Sequence, residues 1–180
     1  MKLLKIFPFC FILFLLSCKE EKPTEISGAT PDISTFYFIR HAEKDRTDPD
    51  DPDPELNQKG LGRAMHWAEI LNEVDLDAIY STNFNRTSMT AAPISVKKNI
   101  DVQYYDPRIL DLEQFKKDNL NKNVLVVGHS NTTPEFVNLL LGEDTYTQIS
   151  DDENGTLFIV KIVNGVATST RLVFNCNCPD

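Results

Sequence analysis

Phe36-Tyr37-Phe38-Ile39-Arg40-His41-Ala42-Glu43 passes from four aromatic or β-branched residues straight into an arginine and a histidine. The apolar part, taken from Thr35 to Ile39, reads as a buried first strand. Two later stretches repeat the pattern. Ile79-Tyr80-Ser81-Thr82-Asn83-Phe84-Asn85-Arg86-Thr87 places an arginine just past a short apolar run, and Val124-Leu125-Val126-Val127-Gly128-His129-Ser130 places a histidine there. The chain has three histidines, and two of them stand at the ends of these runs. In an open α/β sheet, ligands bind at the carboxyl ends of the strands. Two imidazoles and two guanidiniums at such an edge suit a phosphoryl group.

The rest of the chain supports that sheet. Asp45 to Pro54 is dense in Asp and Pro, whose alternating prolines exclude helix and strand. A helix follows over about 58–72, with Leu61, Ala64, Met65, Ala68, Ile70 and Leu71 mostly at helical spacing. Ala78 to Tyr80 reads as a short strand, and Phe84 to Val96 as a helix that Pro93 should kink or end early. A third helix is expected from Leu110 to Leu120. Val124 to Val127 is apolar at every residue, as interior parallel strands tend to be. A helix from Thr133, with Pro134 in its first turn, should stop at Gly142. Thr156–Val163 and Val166–Phe174 flank Asn164-Gly165, a tight-hairpin signal. The fold class expected is α/β: a three-layer sandwich with a mostly parallel central sheet flanked by helices, plus a C-terminal β-hairpin.

Phosphoryl transfer through a covalent intermediate needs a nucleophile, positive charge on the equatorial oxygens and an acid for the leaving group. Imidazole, with a pKa of about 6.5, is largely unprotonated near neutrality. Arg40 offers a fixed fork of donors to phosphate oxygens. Arg86 falls near a helix start, where free N–H groups also favour anions. Gly128 would let the backbone beside His129 approach a ligand closely, and a protonated His129 would add a donor to the transferring group.

Arg40-His41-Ala42 resembles the Arg-His-Gly signature of the histidine phosphatase superfamily, the phosphoglycerate-mutase-like fold, with Ala in place of Gly. Leu56 to Gly60 is similar to its Leu-x-x-x-Gly segment, Ser81 to Thr90 to its second arginine segment, and Gly128-His129-Ser130 to its second histidine segment. The resemblance spans about residues 35 to 141. It implies that His41 is the nucleophile that becomes phosphorylated, and that Arg40, Arg86 and His129 bind the phosphoryl group. The acid-phosphatase and phytase branch has an Asp after the second histidine, where this chain has Ser130. Mutases and related phosphatases take a Glu from the insert between the second and third motifs. Here that insert, Asp101 to Lys122, is short, and its candidate donors are Asp111 and, less well, Asp106. Glu43 is a further candidate donor or pocket-rim group.

The resemblance points to the small-phosphatase branch, acting on phosphomonoesters or phosphoramidates such as phosphohistidine in a small molecule or phosphoprotein. No cofactor or metal is implied. The alternatives are a phosphoglycerate-mutase-like phosphotransferase, which the short insert disfavours, and a catalytically inactive ligand-binding protein of the same fold. The Asp48, Asp50, Asp51 and Asp53 loop lacks the glycine and terminal glutamate of a calcium loop and reads as solvated. His66, mid-helix with no motif around it, reads as structural.

Met1 to Lys5 is basic, Ile6 to Leu16 almost wholly apolar, and Ser17-Cys18 follows, the three zones of a secretory signal. Leu15-Leu16-Ser17-Cys18 resembles a bacterial lipobox, which implies a signal peptide over 1–17, lipid on Cys18, a flexible linker to residue 34 and a phosphatase domain over 35–180. Lipid would hold the protein at a membrane without a spanning helix. The expected location is the cell envelope, on the outer membrane, periplasmic or surface-exposed, as a monomer. Lys19-Glu20-Glu21 resembles the surface-export tag of some bacterial lipoproteins, an ordinary charged tether being the alternative. Eighteen basic against 27 acidic residues give a net charge of −9. Such a surface repels nucleic acid and requires a phosphate pocket to be locally positive. Cys176 and Cys178, two apart, read as tail thiols, unpaired or in a strained bridge.

Overall fold

The computed structural model describes residues 30–176 and 178; the expected signal, Cys18 and most of the expected linker lie outside them. The elements run β1 (Ile33–Arg40), α1 (Gln58–Ile70), β2 (Ala78–Thr82), α2 (Asn85–Lys98), β3 (Val102–Tyr105), α3 (Leu112–Asp118), β4 (Asn123–Gly128), α4 (Thr132–Leu141), β5 (Thr156–Val163) and β6 (Val166–Val173). They form one six-stranded sheet in the order β3-β2-β4-β1-β5-β6. β1 to β4 are parallel, while β5 and β6 add an antiparallel hairpin at one edge. Asn164 and Gly165 at its turn both have positive φ (49° and 83°), as a type I′ turn needs.

The strand period of two decides the layers. Phe36, Phe38, Val124, Val126 and Phe158 face α3 and α4, meeting Phe115, Phe136 and Val137. Ile39, Ile79, Leu125, Val127 and Leu157 face α1 and α2, meeting Trp67, Leu71, Ala91 and Ile94. Each face of the sheet is therefore covered by helices, the three-layer α/β sandwich expected from the alternation of elements.

Three expectations change. β1 starts at Ile33, two residues into the expected linker, where Ile33 N donates to Asn121 Oδ1 at 2.7 Å. Pro93 does not end α2, which runs on to Lys98. The proline removes the N–H that would bond the Met89 carbonyl, but Thr90, Ala91 and Ile94 are buried on either side of it, and that packing holds the helix. β3 was not expected as a strand. Its Val102-Gln103-Tyr104-Tyr105 is short and half exposed at the sheet edge, and pairing with β2 makes it extended.

Gly60 explains how α1 sits beside β1. A Cβ there would fall inside the contact radius of the Glu43 carbonyl oxygen. Without it, the first turn of α1 lies directly on the backbone two residues past His41. Asn57 caps that turn, accepting from Gly60 N at 2.9 Å.

Candidate active site

The parallel register assembles the site. Arg40 is level with Gly128 on β4, and His41 N donates to the Gly128 carbonyl at 2.9 Å. The next residues, His41 and His129, are thus neighbours, with ring centroids 5.5 Å apart. β2 flanks β4 on its other side, which brings Thr82 to His129 and starts α2 with Arg86 in its first turn. Arg40, His41, Arg86 and His129 all line one cavity of about 880 Å³ at the carboxyl edge of the sheet. Four cations, Arg40, Lys44, Arg86 and Arg108, line it against two carboxylates, Asp106 and Asp151. The pocket is locally positive although the chain is acidic.

His41 is 4% exposed. Its Nδ1 lies 2.7 Å from the Ala42 carbonyl, which can only accept, so Nδ1 carries the proton and Nε2 keeps its lone pair. Burial lowers its pKa to about 3; the Ala42 bond opposes this, and Arg40, His129 and Arg86 reinforce it. The imidazole is neutral across the physiological range.

A chain of hydroxyls decides the His129 tautomer. Thr87 Oγ1 donates its one proton to the Thr82 or Phe84 carbonyl (2.7 and 2.9 Å). It must then accept from Thr82 Oγ1 at 3.1 Å, and Thr82 in turn accepts from His129 Nε2 at 2.9 Å. His129 Nδ1 is left as the acceptor facing Arg86 Nη2 at 3.5 Å. Burial, then Arg86, Arg40 and Lys44, lower its pKa to about 4. A dianion between these groups reverses the sign of the local field and favours protonation of His129.

The arginines are held differently. Arg40 is 2% exposed. Its Nη1 donates to the Ser150 and Glu153 carbonyls (2.8 and 3.2 Å) and its Nη2 to Asp151 Oδ1 at 2.7 Å. Its Nε is buried with no hydrogen-bond partner among the described residues. Arg86 stacks over the Phe84 ring, 4.4 Å from its centroid, and donates to Asp53 Oδ1 at 3.2 Å. Asp53 also accepts from Asn85 N at 2.9 Å. The acidic loop therefore caps α2 through Asp53, since Phe84 at the N-cap position supplies no side-chain acceptor.

Of the three candidate proton donors, Asp111 and Glu43 are both held as hydrogen-bond acceptors. Asp111 does not line the cavity; it caps α3, accepting from Gln114 N at 3.0 Å. Glu43 is held by the Arg63 fork through three bonds of 2.7 to 3.0 Å. Burial would raise its pKa, but these bonds and the Arg63 charge keep it below the usual range. Asp106 is the insert carboxylate that does line the cavity. Its bonds to Arg108 at 2.6 and 2.9 Å lower its pKa to about 2. The sequence reading also missed Arg63, Asp53, Thr82 and the 150–153 loop. Arg63 had a signal, because it shares a helical face with the buried Gly60, Ala64 and Trp67. Among the described residues, no group of His, Cys, Asp or Glu is arranged to hold a metal ion. Cys176 and Cys178 are joined as a disulfide, the bridged form of the two open readings.

Residues 36–111, which include Arg40, His41 and Arg86, match the family model described as "Histidine phosphatase superfamily (branch 1)". The segment that carries Arg40, His41 and Arg86 is thus similar to the histidine phosphatase superfamily, a match over less than half of the chain. Phosphoserine phosphatase 1 of Hydrogenobacter thermophilus is 38% identical over 61 residues, which span 34% of this chain and 28% of that protein. Two solved structures share the fold. The protein histidine phosphatase SixA complexed with tungstate is 15% identical with a TM-score of 0.62, covering 77% of this chain and 96% of that one. The alpha-ribazole phosphatase from Shigella flexneri is 15% identical with a TM-score of 0.63, covering 78% and 96%. His129 lies beyond the matched residues and joins Arg40, His41 and Arg86 through the β1–β4 register.

Proposed function

We propose that this chain is a histidine phosphatase that hydrolyses phosphomonoesters or phosphoramidates through a phosphohistidine on His41. The observation that carries this reading is the His41 tautomer, with Nδ1 bonded to Ala42 and a neutral Nε2 beside Arg86 and His129 in a positive cavity. Nε2 attacks phosphorus; the P–N bond forms while the bond to the leaving group breaks, and its electron pair departs with that group. Arg86, His129 and the Arg40 guanidinium neutralise charge on the phosphoryl oxygens. Water then attacks the phosphoryl group, the P–N bond breaks, phosphate leaves, and the water's spare proton passes to solvent. Rapid-quench labelling of the full-length protein with a radiolabelled phosphomonoester should give acid-labile, base-stable label, absent in His41→Ala. A folded wild type with no label and no turnover across phosphoesters and phosphoramidates would favour the inactive ligand-binding alternative.

The same proposal places the protein outside the cytoplasm, lipid-anchored to the cell envelope through Cys18 after removal of residues 1–17. The lipobox-like Leu15 to Cys18 and the basic-then-apolar leader support it. A monomer suffices, because all four pocket residues come from one chain. Intact mass without added acyl groups, or Cys18→Ala still partitioning with membranes, would overturn the anchor.

A further inference from the structure

The phosphatase reading leaves open what departs with the phosphate, and the cavity walls bear on it. Arg40, His41, Arg86 and His129 form one end; Phe84, Tyr104 and Pro107 line the same cavity. Phe84 is 40% and Tyr104 58% exposed. Parallel pairing sets Tyr104 level with Ser81, and Phe84 lies two residues past the end of β2, so both rings rise from adjacent strands. Two large rings left partly in water at a cavity mouth forgo stabilising burial and mark a surface that a ligand covers. Phe84 is also held in orientation, by Arg86 on its face and by His129 perpendicular to it at 5.1 Å.

An independent observation concerns the acids. The two carboxylates that line this cavity are each engaged by an arginine, Asp106 by Arg108 and Asp151 by Arg40 and Arg46, and the nearby Asp53 and Glu43 are held by Arg86 and Arg63. A carboxylate held this way accepts bonds and is poorly placed to carry a proton to a departing oxygen. Such a site favours a leaving oxygen that is stable as an anion. Phenols, with a pKa of about 10, meet that need far better than alcohols, and they are planar aromatics.

We propose that the Phe84–Tyr104 wall is a leaving-group subsite for an aromatic ring, and that the preferred substrates are aryl phosphates, with phosphotyrosine as the biological form. The proposal rests on the phosphatase reading. His41 Nε2 bonds to phosphorus as the P–O bond to the ring breaks. The electron pair leaves on the phenolate oxygen, which takes a proton from water, and hydrolysis of the phosphohistidine then completes the cycle.

The test measures kcat/KM of the full-length protein on phenyl phosphate and on 1,1,1,3,3,3-hexafluoroisopropyl phosphate, an alkyl ester whose alcohol is about as acidic as phenol. The ring, rather than leaving-group acidity alone, should give phenyl phosphate an advantage of about 3- to 10-fold. Tyr104→Ala should bring the ratio towards one, while Tyr104→Phe should keep it. An unchanged ratio in folded Tyr104→Ala overturns the subsite. Turnover of neither ester, with no label on His41, instead overturns the phosphatase reading. Free phosphotyrosine and a phosphotyrosyl peptide, each run against its phosphoserine counterpart, distinguish small-molecule from protein substrates. A Tyr104-dependent preference in either form supports the subsite, and its absence from both overturns it.

Discussion

Acidification from pH 7 to pH 5 should weaken the fold through its two active-site histidines. In the folded state burial holds His41 near a pKa of about 3, whereas in the unfolded chain it returns to about 6.5. Between those values the unfolded state binds a proton that the folded state does not. Stability is therefore full above pH 6.5 and is lost as pH falls towards 3. Over the interval from pH 7 to 5, this linkage amounts to about 2 kcal/mol for His41. His129, lowered to about 4, contributes a similar amount. Carboxylates held low, such as Glu43 and Asp106, lose their contribution only as pH falls below about 4, outside this window. Urea unfolding followed by the single, buried Trp67, in phosphate- and sulfate-free buffer, reads the effect. His41→Gln should roughly halve the difference between the two pH values. Equal stability of the wild type at pH 7 and 5, or a His41→Gln protein as pH-sensitive as the wild type, would refute the buried, neutral imidazole.

Arg86→Ala removes charge-assisted donors to the phosphoryl group and should lower kcat/KM on a phosphomonoester by about 10- to 100-fold; a loss under threefold in steady-state kinetics would remove Arg86 from the site. Asp53→Ala strips the acceptor that caps α2 and should cost about 1 kcal/mol in denaturant unfolding, with no cost if the loop merely rests there. Gly60→Ala drives a methyl into the Glu43 carbonyl and should destabilise by about 1 to 3 kcal/mol, measurable as a lowered Tm. Asp151→Asn weakens the competitor for Arg40 Nη2 and should tighten inhibition by inorganic phosphate a few-fold; an unchanged inhibition constant would mean that phosphate does not use that nitrogen.

Parts of this site were legible because their chemistry is local. Arg40-His41 follows an apolar strand directly, so strand end and functional residue are read together. Gly60, four residues past Leu56, marks a helix start pressed on the backbone beside the nucleophile. The roles of the proton-donor candidates were not legible for a physical reason. Whether Glu43 or Asp111 carries a proton depends on its neighbours, and those are Arg63, 20 residues away, and the amide end of α3. Asp106 reaches the cavity because β3 forms, and β3 carries no apolar run to announce it.

The sequence alone determined every element but β3, and which side chains stand at the ends of β1, β2 and β4, because side-chain periodicity and turn chemistry act over a few residues. Tertiary structure alone decided which of those ends meet. Sheet register sets His41 against His129 across 88 residues and Thr82 against His129, so the proton on His129 is assigned by a partner remote in the chain, whereas that on His41 is set by the adjacent Ala42 carbonyl. It also decided that the acidic loop reaches back to cap the helix bearing Arg86. Electrostatic environment is a property of assembled space, and no short stretch of residues contains it.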